Sequence, residues 1–248
     1  MGRRLGQHFL FDHAILEWIA RAACGDAAVT VIEIGPGLGG LTAHLLPLCQ
    51  RLIAVELDPT LAAALRERFR DEPRFELIEG DVLTTDLAQW GRVSVAGNIP
   101  YYITSPIVER TLALGPLLER AVFLVQKEVA DRLSAEPGSR DFGYLSVMTQ
   151  LRCTARTLFK VKPGAFRPPP KVDSAVVALE PHGEAFTDDP AGFEAFASAC
   201  FRQKRKTLKN NLAGTPFAAK LAIRQEAGMR AEQLSAAALA RLFDTLKD

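Results

Sequence analysis

Apolar residues gather in short runs along the first half of the chain, at positions 29–34, 52–55, 75–78, 93–96 and 121–125, interrupted only by single polar residues such as Glu33, Glu76 and Ser94. Each run has strand length, and apolar residues at neighbouring rather than strictly alternating positions suit a strand buried on both faces. Between the runs the spacing becomes helical. Ile15, Leu16, Ile19 and Ala23 recur at helical intervals behind Asp12, a capping residue type, and positions 61–69 read as another helical stretch. Strand and helix in alternation predict a parallel sheet covered on both faces.

Beyond position 123 the alternation stops. Positions 154–161 and 174–179 are strand-like, and the Pro-rich stretch Phe166-Arg167-Pro168-Pro169-Pro170-Lys171 between them is too short for a crossover helix. The two runs are therefore expected to pair antiparallel at an edge of the sheet. Positions 182–190 are polar and carry Gly and Pro, which predicts a boundary between a domain of residues 1–183 and a small domain of residues 184–248. The second is rich in Ala, Leu, Lys and Arg and reads as several short helices.

Composition narrows the class only a little. At 248 residues, 48% hydrophobic and 24% charged, the chain is an ordinary globular one rather than a disordered one. No run of eighteen apolar residues is present, and the first residues lack the apolar core of a signal peptide, so a cytoplasmic location and no membrane association are expected. Cys24, Cys49, Cys153 and Cys200 lie far apart without a CxxC pair, which suggests reduced packing residues and neither zinc nor disulfides. The formal net charge is +1, with basic residues concentrated towards the C-terminus.

The chemistry begins at Glu33-Ile34-Gly35-Pro36-Gly37-Leu38-Gly39-Gly40, which follows the first strand and opens a helix. Glycines there let a nucleotide approach the backbone closely. Glu56 ends the next strand, about 20 residues on, where an acid can reach ribose hydroxyls. Gly80-Asp81-Val82 follows the third strand and is placed to contact an adenine edge. A nicotinamide dinucleotide would use a similar glycine loop and acid. The acid before the glycines and the Asp after the third strand argue instead for S-adenosylmethionine, which has no pyrophosphate to seat at a helix N-terminus.

Asn98-Ile99-Pro100-Tyr101 follows a further strand. The Asn98 side-chain oxygen and the Ile99 carbonyl can accept the two hydrogens of an adenine N6 amine, the Tyr101 ring offers a stacking face, and Pro100 stiffens the turn. Taken with Gly6-Gln7-His8-Phe9-Leu10, the continuation Tyr102-Ile103-Thr104-Ser105-Pro106, Val125-Gln126-Lys127-Glu128-Val129-Ala130 and Phe166 through Ser174, these motifs resemble the rRNA adenine dimethyltransferase family across nearly the whole chain. Arg202-Gln203-Lys204-Arg205-Lys206-Thr207-Leu208-Lys209-Asn210-Asn211-Leu212 favours the branch acting on the small subunit.

The resemblance implies a Rossmann-like α/β methyltransferase domain of class I, with a mostly parallel sheet and an antiparallel edge, plus a small C-terminal helical domain. The implied cofactor is S-adenosyl-L-methionine. His8 and Leu10 would line its pocket, Gly35 and Gly37 would approach its amino-acid portion, Glu56 would hold the ribose and Asp81 the adenine. Asn98 would stand between methyl donor and target amine, with Tyr101 and Phe166 walling the base; His8 departs from the Asn frequent in the family. The implied reaction dimethylates N6 of two adjacent adenosines near the 3′ end of 16S rRNA, with a role in ribosome biogenesis and rRNA processing. A monomer without a metal is expected, its partner being 16S rRNA in the small subunit or its precursor. Arg202, Lys204, Arg205, Lys206 and Lys209, read as helical, would bind phosphates, and Lys127 would add to that surface. Two other readings stand beside this one: a large-subunit rRNA methyltransferase of the resistance type, and a ribosome-assembly factor in which RNA binding dominates.

Overall fold

The computed structural model describes residues 8–26, 30–183 and 186–247. Gly6 and Gln7 of the first motif, Val29 of the first expected strand and Glu184 at the expected boundary lie outside the described residues. The chain divides into two compact units. One comprises Met1–Ala130 and Ala155–Pro181, the other Asp131–Thr154 and His182–Asp248. This division is discontinuous in sequence, unlike the contiguous split expected after residue 183, because Asp131–Thr154 groups with the C-terminal helices.

The first unit is built on a seven-stranded sheet. In chain order its elements are β1 (Phe9–Leu10), α1 (His13–Cys24), β2 (Thr30–Ile34), α2 (Gly40–Leu45), β3 (Arg51–Glu56), α3 (Pro59–Arg68), β4 (Phe75–Glu79), β5 (Val93–Asn98), α4 (Thr104–Leu112) and β6 (Leu118–Gln126). α5 (Lys127–Leu133) and α6 (Tyr144–Gln150) come next, followed by β7 (Cys153–Val161), β8 (Phe166–Arg167) and β9 (Ser174–Pro181). The strand order is β4-β3-β2-β5-β6-β9-β7. β4, β3, β2, β5 and β6 are mutually parallel, and β9 joins β6 antiparallel. The expected antiparallel edge is thus present, with β7 outermost.

Local chemistry explains the boundaries. Asp12 caps α1, its carboxylate accepting from the N–H groups of Ala14 at 3.0 Å and Ile15 at 3.2 Å. Asp58 does the same for α3, with Pro59 at the first helical position, where its missing N–H costs nothing. Leu16, Ile19, Ala20 and Ala23 bury one face of α1 against a core that includes Val31, Leu52, Val122 and Val176. All but the first residue of β3 are buried, as a central parallel strand requires.

In the second unit, α6 packs with α7 (Pro190–Cys200) and α10 (Ala236–Lys247), while α8 (Leu208–Asn211) and α9 (Ala218–Leu221) are single turns. Its core is strongly aromatic. Phe193, Phe196 and Phe243 are buried, and Phe217 meets Phe196 edge-on with ring centroids 5.1 Å apart. All four cysteines are buried free thiols.

Candidate active site

The strand order reverses direction between β2 and β5, and in open α/β sheets ligands bind at the carboxyl ends of strands at such a point. A cavity of about 570 Å³ lies there, within the first unit. The loop after β2 supplies Gly35 and Gly37, with φ of +63° and +60°, a backbone region that L side chains rarely adopt. A Cβ at Gly35 would meet no atom within 4 Å, so it would project into the open cavity. At Gly37 a Cβ would lie 3.0 Å from the Phe9 ring. The glycines therefore keep clear a cradle that side chains would fill.

Glu56 at the end of β3 holds this loop in place. Its Oε2 accepts from the Gly37 N–H at 3.0 Å and its Oε1 from the Asp58 N–H at 2.9 Å. Each carboxylate oxygen keeps a further lone pair, so a ribose hydroxyl can still donate to it. After β4, Asp81 folds into a turn in which its Oδ1 accepts from the Leu83 N–H at 2.9 Å. Both acids line the cavity.

At the other side, β5 ends in Asn98. Asn98 Nδ2 donates to the His8 carbonyl at 2.8 Å. A carbonyl can only accept, so this bond fixes which way the amide faces and leaves Oδ1 as its acceptor end. The Ile99 N–H donates to the Leu124 carbonyl at 3.0 Å, and the Ile99 side chain is buried, so the backbone after Asn98 is anchored to β6. Tyr101 shares a 2.6 Å hydrogen bond with the Ser174 hydroxyl, and its half-buried phenol is pushed to a higher pKa by desolvation. Its ring lies 5.8 Å from the His8 ring, tilted by 30°. His8 Nδ1 faces the Pro168 carbonyl at 2.7 Å, and that oxygen requires Nδ1 to carry the proton.

Glu33 lies beneath the glycine loop, 1% exposed, with Oε2 accepting from the Thr42 hydroxyl at 2.7 Å. Burial pushes its pKa up to about 8; the Thr42 hydrogen bond opposes this and the Glu56 charge reinforces it. Glu33 is therefore held mainly protonated at neutral pH.

A family model described as ribosomal RNA adenine dimethylase matches residues 2–248. The chain belongs to this family. A ribosomal RNA small subunit methyltransferase A from Acidobacterium capsulatum is 46% identical over 99% of this chain and 91% of its own length. Among solved structures, a dimethyladenosine transferase from Plasmodium falciparum superposes with a TM-score of 0.83 at 27% identity, covering 97% of this chain and 98% of that one. The 23S rRNA methyltransferase ErmE superposes with a TM-score of 0.73 at 29% identity, covering 97% and 100%.

In this rRNA adenine dimethylase, one cavity brings together His8, Leu10, Gly35, Gly37, Glu56 and Asp81 with Asn98, Ile99 and Tyr101. Phe166 is not among its lining residues, contrary to the expectation of a base-stacking wall. β8 pairs antiparallel with β1, Phe9 opposite Arg167 and Leu10 opposite Phe166, and alternation sends Phe166 into the core at 2% exposure. Arg167, its neighbour, lines the cavity instead.

The basic residues also differ from expectation. Arg202, Lys204, Arg205 and Lys206 occupy a turn-rich loop between α7 and α8, and only Lys209 is helical. Asn211, buried at 4%, organises that loop: Nδ2 donates to the Cys200 carbonyl at 2.7 Å and the Gln203 carbonyl at 3.1 Å, while Oδ1 accepts from the Gln203 N–H at 3.1 Å. Lys204 Nζ donates to the Arg140 carbonyl, while Arg202, Arg205 and Lys206 are exposed. Lys127 opens α5, its N–H donating to the Asp173 carbonyl at 3.0 Å, and is not among the cavity residues. Sequence reading missed the β1–β8 ribbon and with it the cavity positions of Phe9 and Arg167. The run of large apolar residues Phe9, Leu10 and Phe11 is a local signal too short to mark a strand by itself.

Proposed function

We propose that this chain transfers methyl groups from S-adenosyl-L-methionine to N6 of two adjacent adenosines near the 3′ end of 16S rRNA, in the small subunit or its precursor. The observation that carries this reading is the Asn98 amide, fixed by the His8 carbonyl so that Oδ1 is the acceptor, at a glycine-cradled cavity. S-Adenosylmethionine, when bound, supplies a methyl group already activated on a sulfonium. An adenine N6 amine is a poor nucleophile, because its lone pair is delocalised into the ring, so the protein acts mainly on the amine.

Asn98 Oδ1 and the Ile99 carbonyl accept the two amine hydrogens, which favours the polarised transition state and orients the lone pair. The Tyr101 ring, immobilised through Ser174, stacks on the base. On the donor side, Gly35 and Gly37 admit the amino-acid portion, Glu56 takes the ribose hydroxyls, Asp81 takes the adenine, and His8 and Leu10 form the wall. The target base must leave its stack to reach such a site. In the second unit, Arg202, Lys204, Arg205, Lys206 and Lys209 bind rRNA phosphates, supported by the loop that Asn211 organises.

Identity of 46% to a small-subunit methyltransferase over nearly the full chain supports this substrate over a large-subunit one. The test is incubation with labelled S-adenosylmethionine and separated undermethylated ribosomal subunits, followed by mapping of modified nucleotides. Label is expected on adjacent adenosines in the 3′ region of small-subunit rRNA. Label confined to the large subunit would overturn the assignment.

A further inference from the structure

The mouth of the cavity carries an arginine and exposed aromatic rings that the reaction as described does not use. Arg167 is exposed and lines the cavity, and its guanidinium carbon sits 4.4 Å from the centroid of the Phe11 ring. Phe11 is 41% exposed and Tyr102 59% exposed, and both line the same cavity. Large apolar rings left in water beside a cavity commonly mark a binding surface.

The β1–β8 ribbon holds this group in place. Phe9 stands opposite Arg167, and the Phe11 N–H donates to the Ala165 carbonyl at 3.1 Å, extending the pairing by one residue. Phe9, Phe11 and Arg167 therefore share one face of the ribbon, and Leu10 and Phe166 share the other. The buried face fixes the register, because a slip by one residue would expose Phe166 and bury a guanidinium. Among the described residues no carboxylate pairs with Arg167, in contrast to Arg21, Arg66 and Arg156. Its charge is thus presented, on an aromatic support, to whatever enters the cavity from outside.

An adenosine that swings into the cavity brings its own phosphodiesters to the mouth. A guanidinium can bond phosphate oxygens through two parallel N–H groups, and a strand passing over exposed rings can stack its bases on them. Resting on the function proposed above, we propose that Arg167, held against Phe11, binds the RNA phosphodiester beside the target adenosine, and that Tyr102 stacks on the neighbouring base.

The test uses the full chain with Arg167→Gln, Arg167→Lys and Phe11→Leu, and Arg21→Gln on exposed α1 as control. Steady-state methylation of undermethylated small subunits is measured across a salt series. For Arg167→Gln the KM for subunits is expected to rise about tenfold, with kcat at saturation and S-adenosylmethionine affinity within about twofold of wild type. The slope of log KM against log salt should fall by about 0.7, one single-strand phosphate contact. Arg167→Lys keeps the slope and recovers part of the KM, and Phe11→Leu raises the KM while keeping the slope. An Arg167→Gln enzyme with wild-type KM and slope, or one altered only in cofactor affinity, overturns the inference. The same variants are titrated with a fluorescent adenine-containing single-stranded RNA of about ten nucleotides. Should wild type fail to methylate small subunits, the function proposed above fails, and the RNA titration still decides on Arg167.

Discussion

Glu33→Gln should flatten the pH dependence of stability, and the size of the effect follows from where Glu33 sits. The side chain is on β2, between β3 and β5, 1% exposed, with one hydrogen bond from Thr42. Its pKa is about 8 in the folded protein against 4.5 for an ordinary carboxyl. Between those values the folded chain holds a proton that the unfolded chain has released, so stability falls as pH rises. The contribution is complete below about pH 4.5 and gone above about pH 8. Across the interior of that window the loss approaches the tenfold-per-unit limit of linkage, on the order of 2–3 kcal/mol in all from about pH 5.5 to 7.5. For a protein of this size that is a drop in Tm of roughly 5–11 °C. Glutamine has the shape of the protonated acid, keeps an acceptor for Thr42 and has no proton to lose. Equilibrium chemical denaturation of both proteins over this range provides the comparison, because contributions common to both cancel in the difference. The gap should widen in favour of the Glu33→Gln variant as pH rises; parallel curves would refute the assignment of a protonated Glu33.

Asn98→Ala should lower methyl transfer by about 10²–10³-fold, as loss of one aimed polar group at a transition state does, while S-adenosylmethionine affinity by calorimetry changes little. Gly35→Ala and Gly97→Ala should separate binding from folding. At Gly35 the added methyl meets open space, so thermal denaturation should show only about 1–2 kcal/mol of backbone strain while cofactor affinity collapses. At Gly97 it would lie 2.6 Å from the Ile34 carbonyl oxygen, so the same assays should show destabilisation of about 1–3 kcal/mol. Joint Arg205→Gln and Lys206→Gln should weaken rRNA binding and lower the salt slope by about 1.4, whereas Asn211→Ala should weaken binding with the slope retained, since no charge is removed. Filter binding across a salt series measures both.

The sheet was legible in the sequence because each central strand is a mostly apolar run of strand length, and the chemistry was legible because Gly35, Glu56, Asp81 and Asn98 sit where successive strands end. Those signals are local. Three features resisted reading because they depend on partners distant in the chain. Residues 131–154 group with the C-terminal helices through packing of α6 on α7 and α10, which no composition shift marks. The basic residues before α8 look helical by propensity, but Asn211 several positions later takes over the backbone groups of Cys200 and Gln203 and holds a loop.

The third, Phe166, is the most instructive for function. An aromatic residue beside a Pro-rich loop near a base-binding motif invites a stacking role, and only pairing with β1 decides otherwise. His8 and Pro168 are 160 positions apart, yet their 2.7 Å contact adjoins the ribbon that sets which residues face inwards. Once Leu10 stands opposite Phe166, a period of two leaves no freedom. Burial of Phe166 and presentation of Arg167 at the cavity are then one fact seen from two sides. The same register removes a ring from the wall and puts a cation at the mouth. It follows that a substitution disturbing the inward face away from the cavity wall, such as Phe166→Ala, should weaken binding of a single-stranded RNA in a fluorescence titration through displacement of Arg167, without touching a single polar group of the site; wild-type RNA affinity would refute the link.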